Sequence, residues 1–508
     1  MDRRRFVRST LLGLGGAPVV GRFASAFAAR SSLFKLGVAS GDVSATGVVL
    51  WTRLAPEPGV ADGGMPAEEV PVRWELSTDP AFTNISRSGM EQATPTLAHS
   101  VHVELDDLSP ASEYWYRFSA NGQYSPVGRT KTLPLDLQKT DSIRFATASC
   151  QNFSHGHFGA YRHVVRDSPD FVMHLGDYIY ETSFGENVRP HPSDEPPRTL
   201  EEFRLWHAHY KSDPDLQLAH ATLPFFAVLD NHDAFPDGDS AQRELRRAAY
   251  QAWYEHMPVR GYSRPGSDRF SMHRCINLGD VAQICLLDSR QYRDSIELCS
   301  QDYDRSYGFG NYRQRCSAVF SESRSMLGQA QTSWLIENIK KAPAAWNVVA
   351  SPGPFQPFSY RVEGEDRRYI SAWDAYPANR SRIANALLQS SASRPLVVSG
   401  DVHSFWAVDG AKTPWKGERF PIMEFTTSSI SANWPPALAE PVTQNLEHNP
   451  QVQYYEPAYR GYMLHDVSAD QWQTTARAVS TVLNRDSQVS SIARFVVDRD
   501  YRLSMKSR

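Results

Sequence analysis

The chain has 508 residues, with 53 basic and 57 acidic side chains and a formal net charge of −4. Its 41% apolar and 22% charged residues are typical of a globular protein and exclude a disordered or collagen-like chain. The nearly balanced charge argues against a stable nucleic-acid partner. Five cysteines are too few for a scaffold built from disulfides.

The first 28 residues have the pattern of a twin-arginine export signal. An Arg-Arg pair at positions 3 and 4 precedes Phe6, an apolar glycine-rich run covers residues 9–20, and small residues alternate over 24–28. The run is too short to cross a bilayer, and no later stretch is apolar enough for a membrane span. We expect the twin-arginine translocation machinery to export the chain and residues 1–28 to be removed. The mature chain would then be a periplasmic or secreted monomer with a net charge of −8.

Four β-rich, partly alternating segments follow the signal. Gly, Pro and Asn-Gly turn signals separate them, and no helical pattern lies between them. Short strands of this kind predict a β-sandwich of immunoglobulin or fibronectin type over residues 29–137. The segments are residues 47–53, 70–77, 99–105 and 113–118.

Residues 138–508 show a different pattern, in which buried-type strands alternate with helical segments. This alternation predicts an α/β layered domain, and sites in such domains form just beyond the carboxyl ends of strands. The predicted strands are residues 143–148, 171–175, 225–229, 284–287, 347–350 and 396–399. The predicted helices include residues 200–210, 240–256, 328–340 and 377–389.

Residue types that bind metals follow four of these strands. Cys150 follows the first, Asp177 the second and Asn231 the third, and Asp401 and His403 follow a late one. Each is weak evidence alone, because an Asp after Gly is usually a turn residue and a lone His or Cys is usually structural. Their recurrence at four strand ends favours a metal centre.

These motifs resemble those of a known family. Gly-Asp at 176–177, Asn-His-Asp at 231–233 and Gly-Asp-Val-His at 400–403 resemble the calcineurin-like metallophosphoesterases. Over essentially the whole mature chain, the sequence is more closely similar to PhoD-type alkaline phosphatases and phosphodiesterases. The resemblance implies an α/β fold, a layered β-sheet sandwich flanked by helices, behind the all-β domain. It also implies an exported, metal-dependent phosphoric ester hydrolase.

The resemblance further implies Fe³⁺ beside one or two Ca²⁺ ions. Thiolate, phenolate and carboxylate ligands stabilise Fe³⁺, whereas Ca²⁺ takes hard oxygen ligands. Carried over by position, the iron ligands would be Cys150, Asp177, Tyr180 and His403. Asp177 would bridge to calcium, whose further ligands would be Asn231 and Asp401.

Three residues leave this ligand set open. Tyr178 competes with Tyr180, which we prefer because the family places its ligand three residues after the aspartate. Asn231 stands where the family commonly has an acidic residue, and its neutral amide leaves the number of calcium ions open. Asp230 could compensate for the missing charge, but the resemblance gives it no role.

The implied reaction is hydrolysis of a phosphate monoester or diester by metal-activated water. His232 is the candidate catalytic residue, which would assist the leaving group or hold the phosphate. A role in orienting Asn231 or Asp401 is nearly as well supported. His155 and His157 could contact substrate, although ordinary loop histidines are the simpler interpretation.

Two arginines and four cysteines complete the candidates. Arg290 and Arg293 could bind phosphate, although pairing with a nearby carboxylate is favoured. The cysteines fit an oxidising compartment, where Cys299 and Cys316 could form a disulfide, and Cys275 and Cys285 could pair or stay as buried thiols. Every such pairing leaves Cys150 unpaired, as an iron ligand requires.

Other functions remain open at this point. Some relatives act as phospholipase D-type or nuclease-type phosphodiesterases, so the preference for monoesters or diesters is undecided. A non-catalytic surface-binding protein built on the β-sandwich predicts missing ligands, whereas every ligand type is present. A purple-acid-phosphatase-like enzyme also uses Gly-Asp-x-x-Tyr, but that group has clustered histidine ligands late in the chain, where His403 stands here.

Overall fold

The computed structural model describes residues 32–183, 187–234, 243–266, 270–296, 312–390, 394–434 and 436–506. The predicted signal of residues 1–28 and the first residues of the predicted helix 240–256 lie outside these ranges. Within them, no helix is both long and apolar enough to cross a membrane.

The described residues form 25 strands and eight α-helices. The strands are β1 (Val38–Gly41), β2 (Val48–Arg53), β3 (Val70–Ser77), β4 (Ile85–Ala93), β5 (Ser100–Leu105), β6 (Glu113–Ala120), β7 (Gln123–Tyr124), β8 (Gly128–Lys131), β9 (Ile143–Ala148), β10 (Phe171–His174), β11 (Pro224–Ala227), β12 (Arg274–Leu278), β13 (Ala282–Leu286), β14 (Tyr312–Arg313), β15 (Trp346–Ser351), β16 (Tyr360–Val362), β17 (Glu365–Tyr369), β18 (Arg394–Ser399), β19 (Phe405–Asp409), β20 (Met423–Thr426), β21 (Val452–Glu456), β22 (Arg460–Val467), β23 (Trp472–Val479), β24 (Val489–Val497) and β25 (Leu503–Lys506). The helices are α1 (Ala160–Asp167), α2 (Leu200–Lys211), α3 (Pro214–Thr222), α4 (Asn231–Ala234), α5 (Arg243–His256), α6 (Gly328–Lys341), α7 (Pro377–Gln389) and α8 (Pro436–Gln444).

Two large mixed sheets form the centre of the molecule. One has ten strands in the order β25-β24-β23-β22-β9-β10-β11-β1-β2-β5, and the other has seven in the order β12-β13-β15-β18-β20-β19-β21. Side chains of both sheets, such as Phe145 and Phe425, belong to one buried core. On β15, Val348 belongs to that core, while Val349 belongs to a second cluster with α6 and α7. Because neighbouring side chains of a strand point to opposite faces, this sheet is covered on both sides, by the other sheet and by helices.

The N-terminal β region contributes to two sheets. Strands β3, β4, β6, β7 and β8 form a five-stranded sheet of their own, whereas β1, β2 and β5 extend the ten-stranded sheet. The join is a parallel pairing of β1 with β11, which sets Ser40 opposite Pro224 and Gly41 opposite Phe225. The sheet therefore continues across the domain boundary predicted after residue 137, and this pairing covers what would otherwise be an open sheet edge.

Three strands of the ten-stranded sheet position the candidate ligands. Strands β9, β10 and β11 are parallel neighbours, so their carboxyl ends lie side by side at one edge of the sheet. In the seven-stranded sheet, β18 runs parallel to β15 and β20 and ends immediately before Gly400 and Asp401. The four predicted strand ends thus belong to the two packed sheets.

The cysteines occupy distinct environments. A disulfide joins Cys275 and Cys285, which lie opposite each other on the antiparallel strands β12 and β13. Cys316 is disulfide-bonded, and its predicted partner Cys299 lies outside the described residues. Cys150 is a buried free thiol.

Candidate metal centre

The loops that leave these strands turn sharply at the candidate ligands. Cys150, Asp177, Asp401 and His403 all have left-handed backbone conformations, with φ of 57°, 54°, 73° and 46°. Non-glycine residues rarely adopt this conformation, and those that do cluster at functional sites. Gly176 has a φ of 104°, and a Cβ atom on it would lie 2.4 Å from Asp230 Cβ. Glycine at this position therefore allows the loops after β10 and β11 to approach each other closely.

The first group of ligand types, the sulfur group, consists of Cys150, Asp177, Tyr180 and His403. Ligand atoms of Cys150, Asp177 and His403 lie within 4.8 Å of one another. The Tyr180 hydroxyl lies 3.2 Å from Asp177 Oδ2 and 2.9 Å from His403 Nε2. Burial raises the pKa of the Cys150 thiol and of the Tyr180 phenol well above their usual values. Both groups would therefore be neutral unless a cation lies beside them.

The second group, the carboxylate group, consists of Asp177, Asp230 and Asp401. Their oxygens also lie within 4.8 Å of one another, so Asp177 belongs to both groups. Burial, reinforced by the neighbouring carboxylate of Asp230, raises the pKa of Asp177 to about 6 and that of Asp401 to about 8. Asp230 Oδ2 and Asp401 Oδ2 are buried and have no hydrogen-bond partner among the described residues. Such a set of oxygens fits a hard cation such as Ca²⁺, which would offset the repulsion and the lost hydration.

The two candidate tyrosines lie in different places. The Tyr180 hydroxyl belongs to the sulfur group, whereas the Tyr178 hydroxyl lies 2.7 Å from His220 Nε2. The structure therefore places Tyr180, and not Tyr178, beside Asp177 and His403.

Arg290 holds the start of α4 by two side-chain contacts. Its Nε donates to Asp230 Oδ1 in a buried ion pair, and its Nη2 donates to Asn231 Oδ1 over 3.3 Å. The favoured sequence interpretation, pairing of Arg290 with a carboxylate, agrees with this geometry. Asp230, which the sequence left without a role, is the third member of the carboxylate group.

His232 lies against both groups. Its backbone N–H donates to Asp177 Oδ1 over 3.0 Å, and its ring stacks on Tyr180 with the ring centres 4.0 Å apart. Its Nδ1 lies 2.6 Å from Glu181 Oε2. Burial lowers the pKa of His232, but the carboxylates of Glu181 and Asp177 outweigh burial and raise it to about 9. Glu181 thus orients the imidazole and favours its protonated form, a role that sequence reasoning missed.

His403 is oriented by the backbone of Asn433. Its Nδ1 donates to the Asn433 carbonyl over 2.8 Å, so Nε2 carries the lone pair that faces Tyr180. Burial lowers the pKa of His403 to about 3, which keeps the ring neutral. The Asn433 N–H in turn donates to Nδ1 of the buried His155 over 3.0 Å. His155 therefore positions Asn433, whereas the His157 N–H donates to the Val482 carbonyl in a loop.

The chain is similar to known proteins over most of its length. A model of the PhoD-like phosphatase family matches residues 145–476, and a model of the PhoD-like phosphatase N-terminal domain matches residues 21–134. The chain is 38% identical over 528 residues to alkaline phosphatase D of Bacillus subtilis (strain 168), which covers 98% of this chain and 88% of that protein.

Two solved structures have a similar fold. A structure of PhoD matches with a TM-score of 0.85 and 38% identity, covering 94% of this chain and 93% of that one. A purple acid phosphatase from yellow lupin seeds matches at 12% identity with a TM-score of 0.54, covering 92% and 74%, and shares the fold alone. These matches confirm the predicted fold class. They also confirm the prediction that the chain is an enzyme rather than a non-catalytic binding protein. The chain belongs to the PhoD-like phosphatase family and is a phosphoesterase.

Proposed function

We propose that this phosphoesterase is exported and hydrolyses phosphate monoesters, diesters or both with Fe³⁺ beside Ca²⁺. The observation that carries the proposal is the shared position of Asp177, which belongs to two groups of different ligand chemistry. A carboxylate that lies between two such groups has two oxygens and is therefore suited to bridge two cations.

Each group suits one of the two cations. Cys150, Tyr180 and His403 offer a thiol, a phenol and a neutral imidazole, a set that together with Asp177 suits Fe³⁺. Asp401 and Asn231 offer hard oxygen ligands to Ca²⁺. We add Asp230 to this set because its carboxylate lies close to those of Asp177 and Asp401. One carboxylate group in the described part of the chain supports one calcium ion rather than two.

When bound, the cations supply Lewis acidity that lowers the pKa of water and neutralises charge on the phosphoryl oxygens. His232 is the group of the chain that can protonate the leaving oxygen, since Glu181 holds its Nδ1 and leaves Nε2 for substrate. Arg290 keeps Asp230 and Asn231 in place through its two hydrogen bonds. His155 and Asn433 hold His403 in the tautomer whose Nε2 lone pair faces Tyr180.

Export and domain organisation remain part of the proposal. The twin-arginine pattern of residues 1–28 supports passage in the folded state, which lets metals be loaded before translocation. The family models end at residue 134 and begin again at 145, which is compatible with a boundary near residue 137. Replacing Arg3 and Arg4 by lysine tests the export route. Accumulation of the uncleaved chain in the cytoplasm is expected, and unchanged export would contradict it.

Elemental analysis of the protein as isolated, combined with assays on one phosphate monoester and one diester, tests the proposed cofactors. We expect iron and calcium to copurify with the chain and at least one ester to be hydrolysed. Zinc as the sole metal would overturn the iron and calcium assignment even in an active preparation.

A further inference from the structure

A recess that is partly open to solvent lies next to the candidate metal centre. Val402, which lines it, stands in the chain between the proposed ligands Asp401 and His403. Tyr369, another lining residue, lies beside Asp401. The recess therefore adjoins the carboxylate group.

Four aromatic rings contribute to its walls, those of Tyr312, Phe358, Tyr369 and Trp406. Phe358 meets Trp406 edge to face, with ring centres 5.4 Å apart, and Tyr312 lies 5.3 Å from Tyr369. Phe358, Tyr312 and Tyr369 are only half-buried, so parts of their rings are open to solvent. Half-exposed aromatic rings held by one another provide a rigid apolar surface, which costs little conformational entropy when a ligand binds.

The same aromatic cluster continues to His403. Trp406 packs on Tyr455 at 4.4 Å, and the Trp434 Nε1–H donates to the Tyr455 hydroxyl over 3.2 Å. The Trp434 ring lies 6.1 Å from the His403 ring, roughly perpendicular to it. The aromatic surface thus runs from the recess to a proposed iron ligand.

The two carboxylates of the recess form hydrogen bonds within the protein. Asp374 Oδ1 accepts from Arg380 over 2.7 Å, and its Oδ2 accepts from the Phe358 N–H over 3.2 Å. Glu424 accepts two backbone N–H bonds, of 2.8 and 2.7 Å, and one from the Ser399 hydroxyl of 2.6 Å. Both carboxylates are therefore engaged within the protein, and aromatic and aliphatic side chains make up most of the remaining lining.

We propose that this recess binds the neutral aromatic ring carried by the alcohol of a phosphate ester, while the metal centre holds the phosphate. The inference rests on the proposed function and narrows its substrate class to aryl or heteroaryl esters. Burying one ring against such walls is worth about 1.5–3 kcal/mol, which corresponds to an affinity advantage of about tenfold or more.

Non-hydrolysable phosphonates test the proposal without the effect of leaving-group reactivity. Benzylphosphonate, cyclohexylmethylphosphonate and methylphosphonate are compared as inhibitors of the holoenzyme acting on a small alkyl phosphate ester. We expect benzylphosphonate to inhibit about tenfold more tightly than methylphosphonate and more tightly than the cyclohexylmethyl compound. Equal inhibition by the benzyl and methyl compounds would overturn the proposal. Equal inhibition by the benzyl and cyclohexylmethyl compounds would overturn its aromatic selectivity.

Variants of Phe358 assign the effect to the recess. Phe358→Ala should reduce the benzyl advantage to less than about threefold, and Phe358→Tyr should restore it. Tyr124→Ala, which removes an exposed aromatic ring of the N-terminal β region, is the matched control and should keep the full advantage. Thermal unfolding checks that each variant is folded, and Phe358→Leu replaces Phe358→Ala if the latter is not. An unchanged advantage in the folded variant would overturn the proposal. Failure of the wild-type enzyme to hydrolyse any phosphate ester would instead contradict the proposed function itself.

Discussion

The sulfur group and the carboxylate group meet at Asp177 but differ in the chemistry of their other members. Burial raises the pKa of both Cys150 and Tyr180, so both side chains are uncharged at neutral pH unless a bound cation favours their deprotonation. Asp230 and Asp401 supply only oxygens, and each leaves one buried oxygen without a partner in the described structure. The two groups at these strand ends thus favour different cations because their residue types differ.

Asp177→Ala removes the member that both groups share and should have the largest effect. We expect hydrolysis to fall by roughly a thousandfold or more, because charge on the phosphoryl oxygens is no longer neutralised. Steady-state assays on purified protein measure the loss. Asp215→Asn is the control and should stay active. It changes a buried carboxylate that is paired with Arg162 and Arg485 and belongs to neither group.

Cys150→Ser separates the two groups by changing only the sulfur group. A serine hydroxyl is a poorer ligand for Fe³⁺ than a thiolate, so iron content should fall and activity should drop roughly a hundredfold. Calcium content should be retained. Asp401→Asn is the converse variant, since it should lower calcium and keep iron. Parallel loss of both metals in both variants would contradict the division into two groups.

Tyr180→Phe sharpens the assignment within the sulfur group. A phenolate bound to Fe³⁺ gives a visible charge-transfer band, so the purified enzyme should be coloured and Tyr180→Phe should not be. Tyr178→Phe is a closely matched control, because the Tyr178 hydroxyl contacts His220 instead. A band that survives in Tyr180→Phe and disappears in Tyr178→Phe would reverse the assignment.

Glu181→Gln should have the smallest effect, because Glu181 acts through His232. The variant keeps a hydrogen bond to Nδ1 but removes the negative charge, so we expect activity to fall roughly tenfold. The loss should be greater for alkyl esters than for nitrophenyl esters, since a poor leaving group depends more on protonation. Equal losses on both esters would indicate that His232 does not protonate the leaving oxygen.

Much of the metal centre could be predicted from the sequence because its residues directly follow apolar strands. Asp177 and Asp401 each come after glycine at a strand end, and the resemblance added Tyr180, whose hydroxyl lies 3.2 Å from Asp177 Oδ2. The sequence assigned no role to Asp230, because Asp401, a carboxylate that lies beside it, follows β18 in the other sheet. Asn433 acts through its backbone, so its residue type carried no signal.

The fold was predictable where the pattern is local. The strands of residues 70–77 and 143–148 and the helix of residues 377–389 have the predicted bounds. The pairing of β1 with β11 and the return of β22 beside β9 join residues far apart in the chain, and no local pattern encodes such partners. The recess was likewise not predicted, since its lining comes from six separate segments of the chain.

The metal content of Asp177→Ala tests the central claim most directly, because one residue is held to serve two cations. Iron and calcium are measured per chain in the folded variant, in Asp215→Asn and in the wild-type protein, all purified in the same way. We predict that Asp177→Ala loses both metals while Asp215→Asn retains both. Loss of one metal with full retention of the other would contradict a bridging role for Asp177.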